Sequence, residues 1–150
     1  MLDVAFMIEI LPRVLRAALV TLQLSFLSLF FSVILGLVFS TLALSSGKLT
    51  NILIRCFVEF TRGVPQLVQI SIIYFALPYI GIYFDEFWTG VVALSFIGAG
   101  YTIEIFRNAV LNIEKGQHEA GKILGLNNFQ ILIYVLYPQI IKRSLPPITN

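Results

Sequence analysis

The chain has 150 residues, of which 58% are hydrophobic and 12% charged, against about 25% charge in ordinary soluble domains. With a mean hydropathy of +0.91, this composition excludes a water-soluble globular domain and describes an integral membrane protein. The net charge of +2 comes from basic residues that flank apolar runs instead of forming a stripe, so no nucleic-acid surface is implied. Cys56, the one cysteine, cannot close an intrachain disulfide, and no His/Cys cluster has metal-ligand spacing. Only helices or closed barrels satisfy their backbone polar groups in hydrocarbon, and the apolar runs are continuous, not alternating, so the expected fold is all-α.

The first predicted span runs from Ala17 to Leu44 without a charge, longer than the roughly 20 residues that cross a bilayer. It exceeds the apolar core of a cleaved signal peptide, and no A-x-A-like site closes it. Ser45-Ser46-Gly47-Lys48 reads as a turn. A second run, Val64 to Phe84, contains Pro65 and Pro78; Pro65 is expected in the first turn or at a kink, and Pro78 as a helix stop. A third run, Phe87 to Ile103, opens near Trp88 and closes near Tyr101. Its small residues Ser95, Gly98, Ala99 and Thr102 suit close helix approach.

Charge asymmetry orients these spans. The first connection carries Lys48, Arg55 and Arg62 against Glu59, the second only Asp85 and Glu86, and the segment after Ile103 carries Arg107, Lys115 and Lys122. The positive-inside rule places the first and third in the cytoplasm and the acidic loop outside. The amino terminus is then external, against which Arg13 and Arg16 stand, balanced by Asp3 and Glu9.

The stretch from Ile123 to Ile141 has the length of a span, yet Gly125, Asn127, Asn128, Gln130 and Gln139 interrupt it and Pro138 is expected to break it. Crossing would also export Lys142 and Arg143. A helix at the cytoplasmic interface is favoured, with Phe129, Ile131, Leu132, Val135 and Leu136 toward the bilayer or a partner helix. Ser144-Leu145-Pro146-Pro147 then leads toward a further span beyond these 150 residues.

Glu104 and Arg107 are three residues apart on one helix face, as are Glu59 and Arg62, and both spacings suit ion pairs. His118 reads as a solvated loop residue. The segment Gly116-Gln117-His118-Glu119-Ala120-Gly121-Lys122 satisfies G-x-x-x-x-G-K, but Ile123 stands where Ser or Thr must bind Mg²⁺, no strand precedes it, and Glu119 repels phosphate. No nucleophile–base constellation or paired carboxylates support catalysis. A polar, glycine-rich segment from Gly116 to Gly125 in so apolar a chain instead suggests a docking surface.

Two motifs give this reading a family. Glu119-Ala120-Gly121, then Gly125, Val135, Tyr137 and Pro138, resemble the E-A-A-x3-G-x9-I-x-L-P motif of ABC importer permease subunits. Thr61-Arg62-Gly63-Val64-Pro65-Gln66-Leu67-Val68-Gln69 resembles the F-R-G-x-P-x-L-V-Q signature of the polar amino acid branch, the histidine and glutamine type, and Gly116-Gln117 fits the same branch. Gly121 replaces the second Ala, lowering helix propensity by roughly 1 kcal/mol. Val135 and Tyr137 replace Ile and Leu, and Thr61 stands where Phe is common.

The resemblance implies a single permease transmembrane domain over residues 1–150 that lacks its C-terminal spans: about three transmembrane helices, a cytoplasmic coupling-helix loop and an interfacial helix. It also implies a multi-pass subunit of the bacterial inner membrane, surrounded by lipid and working with a second permease copy or homologue. An extracytoplasmic substrate-binding protein delivers a polar amino acid, glutamine first and a basic one such as arginine second. A separate ABC ATPase binds ATP and Mg. Gly116, Gln117, Glu119, Ala120, Gly121 and Gly125 form the coupling loop, and Arg62, Gly63, Pro65 and Gln69 the branch signature. The alternative is a non-transporting membrane protein, either the product of a truncated gene or an adaptor that at most binds an ATPase.

Overall fold

A computed structural model describes residues 4–45 and 47–149; Asp3 and Ser46 lie outside them. All regular structure among the described residues is helical. Helix α1, Val4–Ser45, has 42 residues and is roughly 60 Å long. It starts well before the predicted Ala17 and carries Glu9, Arg13 and Arg16 on its first turns. Pro12 lies inside it, where it removes one backbone hydrogen bond without ending the helix.

Helix α4, Glu86–Leu111, packs along the second half of α1. Ser95 Oγ faces the carbonyl of Ser28 at 3.5 Å, Thr102 Oγ1 donates to that of Ser32 at 2.8 Å, and Ser40 Oγ reaches that of Ile103 at 3.4 Å. Residue numbers rise together on both helices, so α1 and α4 run parallel. The approach depends on missing side chains: a Cβ on Gly98 would lie 2.8 Å from Ser32 Cβ, and one on Gly90 2.9 Å from Leu24 Cδ1. The predicted small-residue face is thus the packing face, with Ser95, Ala99 and Thr102 all buried. In lipid such contacts, and not transfer from water, hold helices together. Asp85 caps α4, its Oδ1 accepting from the Trp88 amide at 2.7 Å. The helix passes the predicted end at Ile103 and continues to Leu111.

Two parallel helices need a return path, and the segment between them differs from expectation. Residues 48–63, assigned to a loop on their charges, form helix α2, Lys48–Gly63, which buries Ile54, Val58 and Thr61 on one face. The charges occupy the other face, an amphipathic pattern that charge counting overlooks. Helix α3, Gln66–Ala76, continues into a 3₁₀ turn, Leu77–Ile80, that ends at Gly81 with φ +83°. Pro78 lies in that stop, as predicted. The expected span Val64 to Phe84 is therefore too short to stand alone. It reaches the length of a span only together with α2, and the pair is bent by 107°. By length and composition two helices can cross a membrane, Phe6–Ala43 and Glu86–Leu111, or three if the bent pair counts as one.

After α4 come α5, Lys115–Ile123, and a continuous helix in three parts: α6, Asn128–Gln130, a π-helical segment, Ile131–Leu136, and α7, Tyr137–Thr149. Pro138 does not break this helix. The Tyr137 amide donates five residues back, to Leu132, so the wide turn takes up the proline at the start of α7. Pro146 and Pro147 are also inside it. Leu136, Tyr137 and Ile140 pack with Phe106 and Ala109 of α4 and with Val33 and Leu37 of α1. Tyr137 hydrogen-bonds Thr41, and Arg143 donates to the carbonyl of Asn112 just past α4. The segment does not qualify as a span, and it lies against the two helices that do. Of its predicted apolar face, Ile131 is buried, Leu132, Val135 and Leu136 are half-buried, and Phe129 is exposed.

Candidate functional site

Two places combine polar chemistry with access. The first is a cleft of about 720 Å³ between α2, α4 and the end of α1, whose lining includes Arg55, Glu59, Arg62, Glu104 and Arg107 beside Asn51, Ser40 and Tyr101. Arg62 Nη1 lies 3.7 Å from Glu104 Oε2, and its guanidinium stands over the Tyr101 ring, 5.7 Å from the centroid. The predicted partners were different. Glu104 pairs across the cleft with Arg62 and not along its own helix with Arg107, and Arg62 turns to α4 instead of Glu59. A tertiary approach has replaced two local ones. Three arginines and two glutamates around one opening suit a ligand that carries both signs of charge, and sequence reading had left both glutamates outside any such site.

The branch signature builds the wall of this cleft. Arg62 and Gly63 line it, and Pro65 starts α3 at the bend. Without an N–H, Pro65 leaves the Thr61 carbonyl without its usual helical donor. Gln69, 4% exposed, supplies the donor: its Nε2 reaches Thr61 O at 3.0 Å and Val64 O at 2.8 Å. The four signature residues thus come together, two facing the cleft and two making the bend. Thr61 itself is buried against Gly100, where any Cβ would overlap its side chain. Thr61, at a position where Phe is common, thus occupies the space that Gly100 leaves open.

The second place is α5. Its end is a Schellman turn: Gly125 N donates to Lys122 O at 2.9 Å and Leu126 N to Gly121 O at 3.1 Å, with Gly125 at φ +77°. That left-handed position favours glycine. Asn127 then opens the next helix with a capping box, exchanging 2.9 Å hydrogen bonds with Gln130 in both directions. Ahead of this closed end α5 turns Glu119, Ala120, Lys122 and Ile123 outward; Ile123 is 86% and Leu124 78% exposed. His118, expected in solvent, is half-buried on the inner side, and Gly116 and Gln117 are exposed. Gln139 of α7 reaches Gln117 at 3.4 Å.

Gly121 is buried on the inner side. Ile131, with no exposed surface, fills the space above it, and a Cβ on Gly121 would lie 2.7 Å from Ile131 Cγ1. The glycine costs about 1 kcal/mol of helix propensity relative to alanine, whereas burying an isoleucine side chain contributes about 1.5–3 kcal/mol. The departure from E-A-A here therefore has a packing role, since Ile131 lies directly on the α5 backbone at Gly121.

Residues 32–150 match the model of the binding-protein-dependent transport system inner membrane component family. The chain belongs to this family. Among curated members it is 38% identical over 143 residues to the probable amino-acid ABC transporter permease protein YckA of Bacillus subtilis (strain 168), covering 95% of this chain and 63% of that one. It is 37% identical over 142 residues to the glutamine transport system permease protein GlnP of Escherichia coli (strain K12), covering 93% and 65%. The chain therefore spans somewhat under two thirds of the length of these relatives. Among solved structures it superposes on the crystal structure of an amino acid ABC transporter with histidines, with a TM-score of 0.84 and 32% identity, over 99% of this chain and 69% of that one. The matched residues 32–150 include both places, the polar cleft between helices and the exposed helix α5.

Proposed function

We propose that this chain is a permease subunit of an ATP-driven importer of polar amino acids, multi-pass in the bacterial inner membrane, and that residues 1–150 belong to one transmembrane domain. The observation that carries this is α5. It is a short helix closed by a left-handed glycine, pinned on one side by Ile131 and exposing Glu119, Ile123 and Leu124 on the other. The exposed Ile123 and Leu124 beside Glu119 suit a surface that a partner protein covers. Its partner in this reading is an ABC ATPase that binds ATP and Mg, whose closure moves α5 as a rigid lever.

The cleft is then part of the substrate path. Its mixed charge suits a zwitterion: Arg62 and Arg107 face a carboxylate, and Glu59 and Glu104 an ammonium group. Glutamine is the first candidate, through the glutamine permeases among the relatives, and a basic amino acid the second, through the two glutamates. A second permease copy and an extracytoplasmic binding protein complete the assembly.

The test is co-purification from solubilised membranes of the chain with the cell's ATPase subunits, comparing wild type with Glu119→Lys and Gly125→Asp. An ATPase that follows wild type and is lost with both variants is the expected result. No ATPase with wild type favours the alternative of a non-transporting membrane protein, and undiminished recovery with both variants removes α5 from the docking surface.

A further inference from the structure

Ile131 has no part in the E-A-A motif, yet its side chain fills the space over Gly121 of that motif. We propose that Ile131 is a positioning residue for α5, forming with Gly121 a matched pair that sets the angle at which Glu119, Ile123 and Leu124 are presented; this rests on the permease reading of α5.

Gly121 is the one residue of α5 whose surface is buried, among those whose side chains are described. A Cβ there would lie 2.7 Å from Ile131 Cγ1, 3.1 Å from Cδ1 and 3.5 Å from Cγ2. The first distance is shorter than nonbonded carbons tolerate, the second is tight and the third is ordinary contact, so the crowding centres on Cγ1, an atom that only a change of χ1 can move. Turning one tip aside therefore gives no relief, because χ1 is held in a single rotamer in a helix. Nor can the backbones drift apart freely. Gly125 and Leu126 close α5 onto its own last turn, and the Asn127–Gln130 capping box fixes the start of the helix that carries Ile131. Any added volume at residue 121 is relieved by tilting α5 off the π segment, and any lost volume at residue 131 lets α5 sink toward it. The size sum of the two residues is what the lever angle reads.

The experiment uses the full chain in a Cys56→Ser background, with spin labels at Leu53 and Leu124, which are 62% and 78% exposed. Interlabel distance distributions are compared for the parent, Gly121→Ala, Ile131→Ala and the double variant, and ATPase capture is read on the same variants with Leu53 and Leu124 intact and unlabelled. The expected result is a displaced or broadened distribution in each single variant, with opposite displacements, and a return toward the parent in the double. Capture falls about tenfold in the singles, equivalent to about 1.4 kcal/mol, and recovers in the double. A residue that only stabilises the fold gives no such rescue, since two losses would add. Unchanged distances in Gly121→Ala, or a double variant no closer to the parent than the singles, overturn the proposal. If the parent captures no ATPase, the permease reading fails by itself, and the distance series still decides whether Ile131 positions α5.

Discussion

The side-chain amide of Gln69 donates to the carbonyl of Thr61 at 3.0 Å, the acceptor that Pro65, four residues on from Thr61, has no hydrogen to satisfy. One side chain thereby repairs the backbone at a 107° bend, and it does so at a buried position, where an unpaired carbonyl is costly. Replacing Gln69 with Leu removes the donor from two carbonyls and is expected to destabilise the protein by about 1–3 kcal/mol. Gln69→Glu, which offers acceptors to acceptors, is expected to cost at least as much. Thermal unfolding of the purified protein in detergent reads both; an unchanged midpoint for Gln69→Leu contradicts the repair.

The Arg62–Glu104 pair is half open to solvent, its side chains 47% and 33% exposed. Solvent screening discounts such a pair to about 1 kcal/mol or less. A double-mutant cycle with Arg62→Gln and Glu104→Gln is therefore expected to give a stability coupling no larger than that, while under the proposed function amino acid uptake by the assembled transporter falls well below that of wild type. A large stability coupling with normal uptake assigns the pair to the fold and removes it from the path.

Glycines of this chain separate into two kinds. Gly98→Leu forces a side chain into Ser32 of α1 and is expected to cost about 1–3 kcal/mol or more through overpacking. Gly116→Ala meets nothing within 4 Å and is expected to be neutral or to stabilise by up to about 1 kcal/mol, since alanine loses less backbone freedom. Unfolding midpoints of the two variants should move in opposite directions or differ by several degrees.

Gly125→Ala keeps the space but not the conformation. Holding a non-glycine residue at φ +77° costs roughly 1–2 kcal/mol, and Gly125→Asn costs less. The amide of Leu126, which donates to Gly121 O at 3.1 Å, reports on it: hydrogen exchange there should accelerate in Gly125→Ala, less so in Gly125→Asn. Equal exchange in all three proteins means the turn does not depend on glycine.

What sequence reading captured followed from single strong signals. The apolar runs located the end of α1 and most of α4, Pro78 marked a stop, and the small residues of α4 marked its contact face. The family motifs picked out Gly125 and the outward Glu119, both of which the turn geometry suits. What it lost were properties of pairs. Helix α2 was hidden because its charges lie on one face of a helix, and counting signs ignores period. The span from Val64 failed because a bend joins it to α2. Local spacing matched Glu104 with Arg107, but a partner brought in from α2 lies nearer the carboxylate. Likewise Gly121 alone looks like a weakness, and only the position of Ile131 makes it a fit.

The π-helical stretch Ile131–Leu136 sets the phase of everything after it. Ile131 and Ile140 are both buried, one against α5 and the other against Phe106 and Ala109 of α4. In an uninterrupted α-helix, residues nine apart point in roughly opposite directions, since each step turns about 100°. The wide turn brings these directions closer together, so one rod grips α5 at one end and the membrane helices at the other. Deleting a single residue from this stretch would leave every remaining side chain intact and still unseat one of the two grips, making this segment far less tolerant of length change than of substitution.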